Sequence, residues 1–190
     1  MQSMSKHFKF FSTKLKGLQI IQRTLIKDDR GFFSRFYCEE DYKYLGFLDS
    51  PKQMNHSFTK KKGTIRGMHF QKFPHEETKI ISCIRGSIFD VAVDIRKNSP
   101  TFLHWHGEVL SEKENSSLYI PKGFAHGFQT LEDDCELLYI HSEFYSRDAE
   151  DSLNAHDPKI GIIWPLEASQ MSERDLNSKL INETNKDFLP

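Results

Sequence analysis

The stretch Lys79-Ile80-Ile81-Ser82-Cys83-Ile84-Arg85-Gly86-Ser87-Ile88-Phe89-Asp90-Val91-Ala92-Val93-Asp94 decides the fold class. Two apolar runs, each about the length of one strand, flank Arg85-Gly86. In the second, Phe89, Val91 and Val93 alternate with Asp90, Ala92 and Asp94. That two-residue period sends successive side chains to opposite faces of a half-buried strand. Glycine reaches positive φ at no steric cost, so Gly86 is expected to close a tight hairpin.

Outward from this stretch the same pattern repeats. Residues 18–26, 31–37, 53–58, 64–71, 103–110, 117–120 and 135–144 also read as β-type runs between turn residues. Many short strands with almost no helical periodicity predict an all-β sandwich or barrel. The last fifth differs. Asp157-Pro158 and Trp164-Pro165 mark an irregular segment, and residues 172–181 predict one short helix capped by Ser172. With no repeat, linker or low-complexity tract, residues 1–190 are expected to form one domain.

Composition narrows the function. Hydrophobic residues make up 37% of the 190, and 16 are Phe, enough for one core. The 26 basic and 27 acidic side chains give a net charge of −1. Such a balance gives no general electrostatic attraction to nucleic acid or an anionic membrane, so any bound anion must be held by a local cluster. Cys38, Cys83 and Cys135 show no C-x-x-C spacing, which suits reduced thiols. No run approaches the ~18 apolar residues of a membrane span. Lys6, Lys9, Lys14 and Lys16 make a basic N-terminus, but Phe8-Lys9-Phe10-Phe11 is too short and interrupted for a signal sequence. A cytoplasmic protein is expected.

Chemistry is expected where polar residues interrupt β runs. In Arg66-Gly67-Met68-His69-Phe70-Gln71, strand alternation puts Gly67, His69 and Gln71 on one face and Arg66, Met68 and Phe70 on the other. Lys79 opens the next strand, Asp90 lies on its hairpin partner, and Tyr139 sits in an apolar strand. Taken singly, His69 reads as a satisfied core histidine, Lys79 as a strand-end charge and Tyr139 as a core aromatic with its hydroxyl bonded. Together they describe a barrel lined by acid–base groups of several kinds. Pro121-x-Gly-x-x-His126 resembles the second cupin motif, which aims its His into a barrel. The H-x-H pair of metal-binding cupins fails here, because Gln71 stands two residues after His69. The true H-x-H, His104-Trp105-His106, is expected on a separate strand facing out. No metal site and no cofactor are therefore expected.

Seven ordered motifs carry a closer resemblance. They are Asp29-Arg30-Gly31-Phe32-Phe33, Asn55-His56-Ser57, Arg66 to Gln71, Phe89 to Lys97, Ser99-Pro100-Thr101-Phe102, Ile120 to Phe128, and Ile160-Gly161-Ile162-x-Trp164-Pro165. Over residues 14–182 the chain resembles the dTDP-4-dehydrorhamnose 3,5-epimerase family. The resemblance implies a cupin-like (jelly-roll) β-barrel with a short C-terminal helical segment, dimerising through shared N-terminal strands. It implies a nucleotide-linked 4-keto-6-deoxyhexose as substrate and inversion of carbon 3, carbon 5 or both.

By the same resemblance His69 is the base, Asp175 its carboxylate partner, Tyr139 the acid on the opposite face and Lys79 the cation near the keto oxygen. Arg30 and Arg66 match diphosphate contacts. Gln53, Asn55, His126 and Glu150 match further substrate contacts, with Arg174 beside Asp175. Tyr145 matches the aromatic that stacks on the base. Three positions depart from the family pattern: Arg35 replaces a usual Glu at the nucleotide end, Phe144 a usual Tyr, and Ile140 a usual Lys. Arginine offers only donors, which suits acceptor edges such as those of cytosine. Rivals are thus a single-carbon epimerase on a CDP- or GDP-linked sugar and a catalytically silent sugar-nucleotide-binding cupin.

Overall fold

Runs rich in Ile, Val, Phe and Tyr form strands, because branched and aromatic side chains pack well on a pleated surface. The computed structural model describes residues 5–43 and 50–181, so the ends of the expected domain lie outside the described residues. The strands are β1 (Phe8–Ser12), β2 (Gln19–Arg23), β3 (Ile26–Asp28), β4 (Gly31–Phe33), β5 (Gln53–Thr59), β6 (Ile65–Gln71), β7 (Lys79–Arg85), β8 (Ser87–Asp94), β9 (Trp105–Ser111), β10 (Ser116–Ile120), β11 (Phe124–Thr130), β12 (Cys135–His141) and β13 (Glu150–Ser152). Two single-turn helices, α1 (Glu39–Tyr42) and α2 (Glu173–Leu176), complete the described elements.

A six-stranded sheet runs β1-β2-β10-β7-β12-β5 and faces a five-stranded sheet β13-β6-β11-β8-β9; β3 and β4 form a separate hairpin. This is the cupin-like jelly roll. Between the sheets lie Ile81, Cys83, Ile88, Ala92, Leu118, Phe128 and Leu137. Outside the five-stranded sheet, Met68, Phe70, Val91, Val93 and Ala125 are covered by Leu153, Ile160 and Ile181 from the C-terminal segment. Outside the six-stranded sheet, Phe8, Ile21, Ile80, Tyr119 and Ile140 pack with Tyr42 of α1.

The structure corrects four expectations. The Arg85-Gly86 turn closes no hairpin ladder: β7 pairs with β10 and β12, while β8 pairs with β9 and β11. Gly86 does take positive φ, +76°, but it turns the chain from one sheet to the other. Nor is β8 half-buried. Val91 and Val93 meet the C-terminal segment, while the opposite face, with Ala92, turns in between the sheets, so Asp90 and Asp94 are fully buried rather than solvated. A buried carboxylate must be bonded or neutralised, and both aspartates are bonded. The 31–37 strand ends at Phe33, and the 172–181 helix is a single turn. Beyond α2 the backbone turns outward to bond its neighbour, Asn154 N–H donating to the Lys179 carbonyl at 3.1 Å. β1, β13 and α1 were unexpected, and β11 runs through the Pro121-x-Gly-x-x-His126 motif, which was not read as a strand.

Asp94 braces the exit from β8. It accepts from Arg96 at 2.7 and 2.8 Å, from Ser99 at 2.6 Å and from Thr101 at 2.7 Å. Burial pushes its carboxyl up, but these donors outweigh burial and hold it at about 2. The folded value lies below the unfolded ~3.9. The stabilisation is therefore present above the unfolded value and lost as pH falls through the folded one. Urea midpoints for wild type and Asp94→Asn are expected to differ by a constant, full amount above about pH 5 and to converge as pH falls from about 4 to about 2. A constant difference across that window would refute the assignment.

Candidate active site

The cavity between the sheets, about 540 Å³, opens where β5, β6, β7, β11 and β12 end together. Of the residues predicted from sequence, Gln53, Asn55, Arg66, His69, Lys79, His126, Tyr139, Tyr145 and Glu150 line it. His69 stands on the five-stranded sheet and Tyr139 on the six-stranded sheet. Base and acid candidates thus face each other across the cavity.

Simple alternation would have put Arg66 on the wrong face. In the pairing of β11 with β6, His126 lies opposite His69 and Phe128 opposite Arg66. Two steps on β11 therefore match three on β6, and the extra residue is a β-bulge at Gly67. The bulge brings Arg66 round to the side of His69 and leaves Met68 and Phe70 in the outer core. Gly67 has φ +129°, and a Cβ there would lie 2.5 Å from the Gly127 Cα.

His69 Nε2 lies 2.7 Å from Asp175 Oδ1, and Asp175 Oδ2 accepts the Gly67 N–H at 3.2 Å. Asp175 is held by α2, whose N-cap Ser172 accepts the Asp175 N–H at 3.1 Å. Burial pushes the Asp175 carboxyl up, but the His69 bond and charge, with Gly67 and Ser172, outweigh it and hold it below its ordinary value. An ionised Asp175 can only accept, so the Nε2–H of His69 donates to it and Nδ1 is left as the basic nitrogen. On the other wall the Tyr139 hydroxyl meets Ser57 Oγ at 3.1 Å. Burial pushes Tyr139 up to about 12, against smaller lowering by Ser57 and Arg66. This phenol keeps its proton through the neutral range, above the ordinary value of ~10.

Lys79 donates to the His69 carbonyl at 3.4 Å and to Glu77 Oε1 at 3.1 Å. His126 Nε2, on the cavity wall, lies 2.7 Å from Asp90 Oδ1, which is fully buried behind it, and burial raises the Asp90 carboxyl more than His126 lowers it. Gln71 fills the place of a second cupin His. Its Nε2 donates to the carbonyls of His75 and Phe144, and its Oε1 accepts the Ser146 N–H at 2.6 Å. Gln71 thereby pins the loop that carries Tyr145. Tyr145 donates to Glu150 at 2.9 Å, and Arg174 pairs with Glu150 at 2.8 Å on the rim. The His104-Trp105-His106 pair does not line the cavity; His106 meets Glu108 at 3.2 Å. Among the described residues no three His, Cys, Asp or Glu gather for a metal.

The dTDP-4-dehydrorhamnose 3,5-epimerase family matches residues 12–183. The chain belongs to that family. It is 40% identical to the dTDP-4-dehydrorhamnose 3,5-epimerase of Methanothermobacter thermautotrophicus over 93% of this chain and 96% of that one. It is 39% identical to the enzyme of the same name from Salmonella typhimurium, over 90% and 94%. A crystal structure of the Legionella pneumophila dTDP-6-deoxy-D-glucose-3,5-epimerase with dTDP-4-keto-L-rhamnose superposes with TM-score 0.91 at 38% identity, covering 97% of this chain and 98% of that one.

Several expected family contacts lie away from the cavity of the same chain. Arg30 is exposed on the β3–β4 hairpin, paired with Asp28 at 2.6 Å. Arg35 reaches towards Asp41 at 4.0 Å and does not line the cavity. Phe144 is exposed beside Lys52, whose Nζ lies 5.7 Å from its ring centroid. Asp175 and Arg174 support the site from behind and from the rim. Sequence reasoning missed Glu77, His141 and Ser57, which also line the cavity. A loop carboxylate and a strand-end histidine carry no signal until β7 and β12 pair.

Among the described residues no helix is long and apolar enough to cross a membrane.

Proposed function

We propose that the protein inverts carbon 3 and carbon 5 of a dTDP-linked 4-keto-6-deoxyhexose by removing a proton on one face of the sugar and returning one on the other. The observation that carries this is the opposition of the His69–Asp175 pair on one sheet to Tyr139 on the facing sheet. Inversion needs that geometry, because a single group on one side would return the proton to the face it left.

Nδ1 of His69 takes the proton beside the ketone, and Asp175 steadies the imidazolium that results. A proton on carbon next to a ketone is a weaker acid than imidazolium, so the enolate must be stabilised as it forms. Lys79, whose side chain is only 9% exposed, places a positive charge for that oxygen, an effect that for a single donor is worth ~3–4 kcal/mol. Tyr139, still protonated, returns a proton from the opposite wall. Arg66 takes the diphosphate through its planar fork. Gln53, Asn55, His126 and Glu150 contact the remainder of the substrate, and Tyr145 stacks on the base with Phe144 beside it.

The protein acts as a homodimer in this reading. Ile26, Phe32 and Phe33 on the β3–β4 hairpin are 54–64% exposed, an apolar patch that a second copy would cover. Such packing would deliver Arg30 to the diphosphate of the neighbouring site. Arg35, turned towards Asp41, leaves the base unread within its own chain.

Turnover of dTDP-, CDP- and GDP-4-keto-6-deoxyglucose in deuterium oxide tests the reading position by position. The expected result is deuterium at both carbon 3 and carbon 5, fastest with the dTDP sugar. Deuterium at one carbon alone, or a preference for another nucleotide, would overturn it.

A further inference from the structure

His141 belongs to none of the roles above, yet it lies inside the cavity at the centre of a continuous hydrogen-bonded chain. The chain begins at the Tyr145 backbone N–H, which donates to Gln53 Oε1 at 3.0 Å. Gln53 Nε2 donates to Asn55 Oδ1 at 3.1 Å. Asn55 Nδ2 then meets His141 Nε2 at 3.4 Å, and His141 Nδ1 meets Glu77 Oε2 at 2.7 Å. Glu77 Oε1 accepts from Lys79 Nζ at 3.1 Å, and Lys79 reaches the His69 carbonyl at 3.4 Å.

The polarity of this chain is fixed at both ends. A backbone N–H can only donate, so Gln53 must offer its oxygen to Tyr145 and its NH₂ to Asn55. Asn55 must then accept on Oδ1 and donate from Nδ2, which leaves His141 Nε2 as an acceptor. From the other end an ammonium can only donate and an ionised carboxylate can only accept, so Nδ1 must carry the proton that reaches Glu77. Both directions demand the same state of the ring, neutral and protonated on Nδ1. A proton added at Nε2 would set two donors against each other. Turning the Asn55 and Gln53 amides would only move that clash along to the Tyr145 N–H, which cannot turn.

We infer that His141 is a positioning residue: as the neutral Nδ1–H tautomer it orients Glu77, and through Glu77 the Lys79 ammonium, while its Nε2 fixes the amides of Asn55 and Gln53. Burial supports the assignment. The Lys79, Glu77 and His141 side chains are only 9%, 9% and 10% exposed. Withdrawing water from a lone ammonium favours its neutral form, and Glu77 supplies the opposing charge. Burial pushes the Glu77 carboxyl up, but Lys79 and the His141 bond outweigh it and hold it below its ordinary value. The His141 ring also stacks on Tyr139, with centroids 6.0 Å apart and planes 11° apart. The ring therefore has little freedom to swing out of the chain.

The part played by Lys79 rests on the epimerase reading; the tautomer does not, and that separates the two tests. Long-range proton–nitrogen spectra of histidine-labelled protein at neutral pH, with the His141 signals identified by their loss in His141→Gln, are expected to show a protonated Nδ1 and an unprotonated Nε2. The reverse tautomer, or an imidazolium, overturns the inference whatever the enzyme's substrate. In turnover, His141→Leu is expected to lower kcat tenfold or more. His141→Gln can donate to Glu77 from Nε2 and accept from Asn55 on Oε1, and it is expected to recover at least fivefold of that loss. Equal loss in the two variants, or a loss carried by KM alone, also overturns it.

Discussion

Replacing His69 with alanine is expected to slow solvent-deuterium exchange at both sugar carbons by about 10²–10⁴-fold, the usual contribution of a positioned general base. The expectation follows from the proposed role of His69 and from its bond to Asp175 at 2.7 Å. Tyr139→Phe is expected to fail differently. It keeps the ring that stacks on His141 and loses only the hydroxyl bonded to Ser57. His69 can still take a proton and hand it back on the same face, so exchange persists while inversion stalls. Following deuterium content and product configuration in the same samples separates the two. Complete loss of exchange in both variants would show that the groups do not act on opposite faces.

Gly67→Ala is expected to cost about 3 kcal/mol or more, from a strained backbone (~1–3) and an overpacked contact (~1–3). At the size of this chain that corresponds to a melting temperature lower by roughly 6–12 °C. Its φ of +129° disfavours any side chain, and the new Cβ would meet the Gly127 Cα at 2.5 Å and the His126 carbonyl oxygen at 2.8 Å. Both are backbone atoms of β11, so relief requires β6 and β11 to part. Gly161→Ala is the comparison: its φ is +63°, but a Cβ there would meet only the Pro158 carbonyl oxygen, at 3.8 Å. That variant is expected to lose only ~1–3 kcal/mol, the backbone contribution alone. Thermal unfolding at one protein concentration decides the matter, and an equal or smaller loss for Gly67→Ala would remove the bulge from the argument. Because the bulge turns Arg66 into the cavity, the same variant is also expected to weaken binding of the nucleotide diphosphate.

The alternation in Phe89 to Asp94 was enough to establish β structure, since a period of two is a property of the strand itself. The ordered motifs from Asp29 to Pro165 were enough to establish the family, and with it His69, Lys79 and Tyr139 as candidates. Partnership was not legible. Whether Asp90 meets water or a buried histidine depends on which face of β8 turns in between the sheets, and Asp90 shares the inward face with Ala92 because residues far along the chain such as Ile160 and Ile181 cover the Val91 and Val93 face. The same holds for the turn at Gly86. Its positive φ was legible from the residue, but the choice between hairpin and sheet-to-sheet corner belongs to β10 and β12, which claim the edges of β7.

The local pattern thus determined which residues are extended, which glycine bends and which polar side chains interrupt apolar strands. Only the tertiary structure decided that Arg66 shares a face with His69, because the register against β11 inserts one extra residue. Only the pairing of β12 with β5 and β7 brought His141 between Asn55 and Glu77. The physical reason is common to both. Side-chain direction follows from backbone dihedrals a few residues long, whereas hydrogen-bond partners across a barrel depend on register between strands that the chain visits dozens of residues apart.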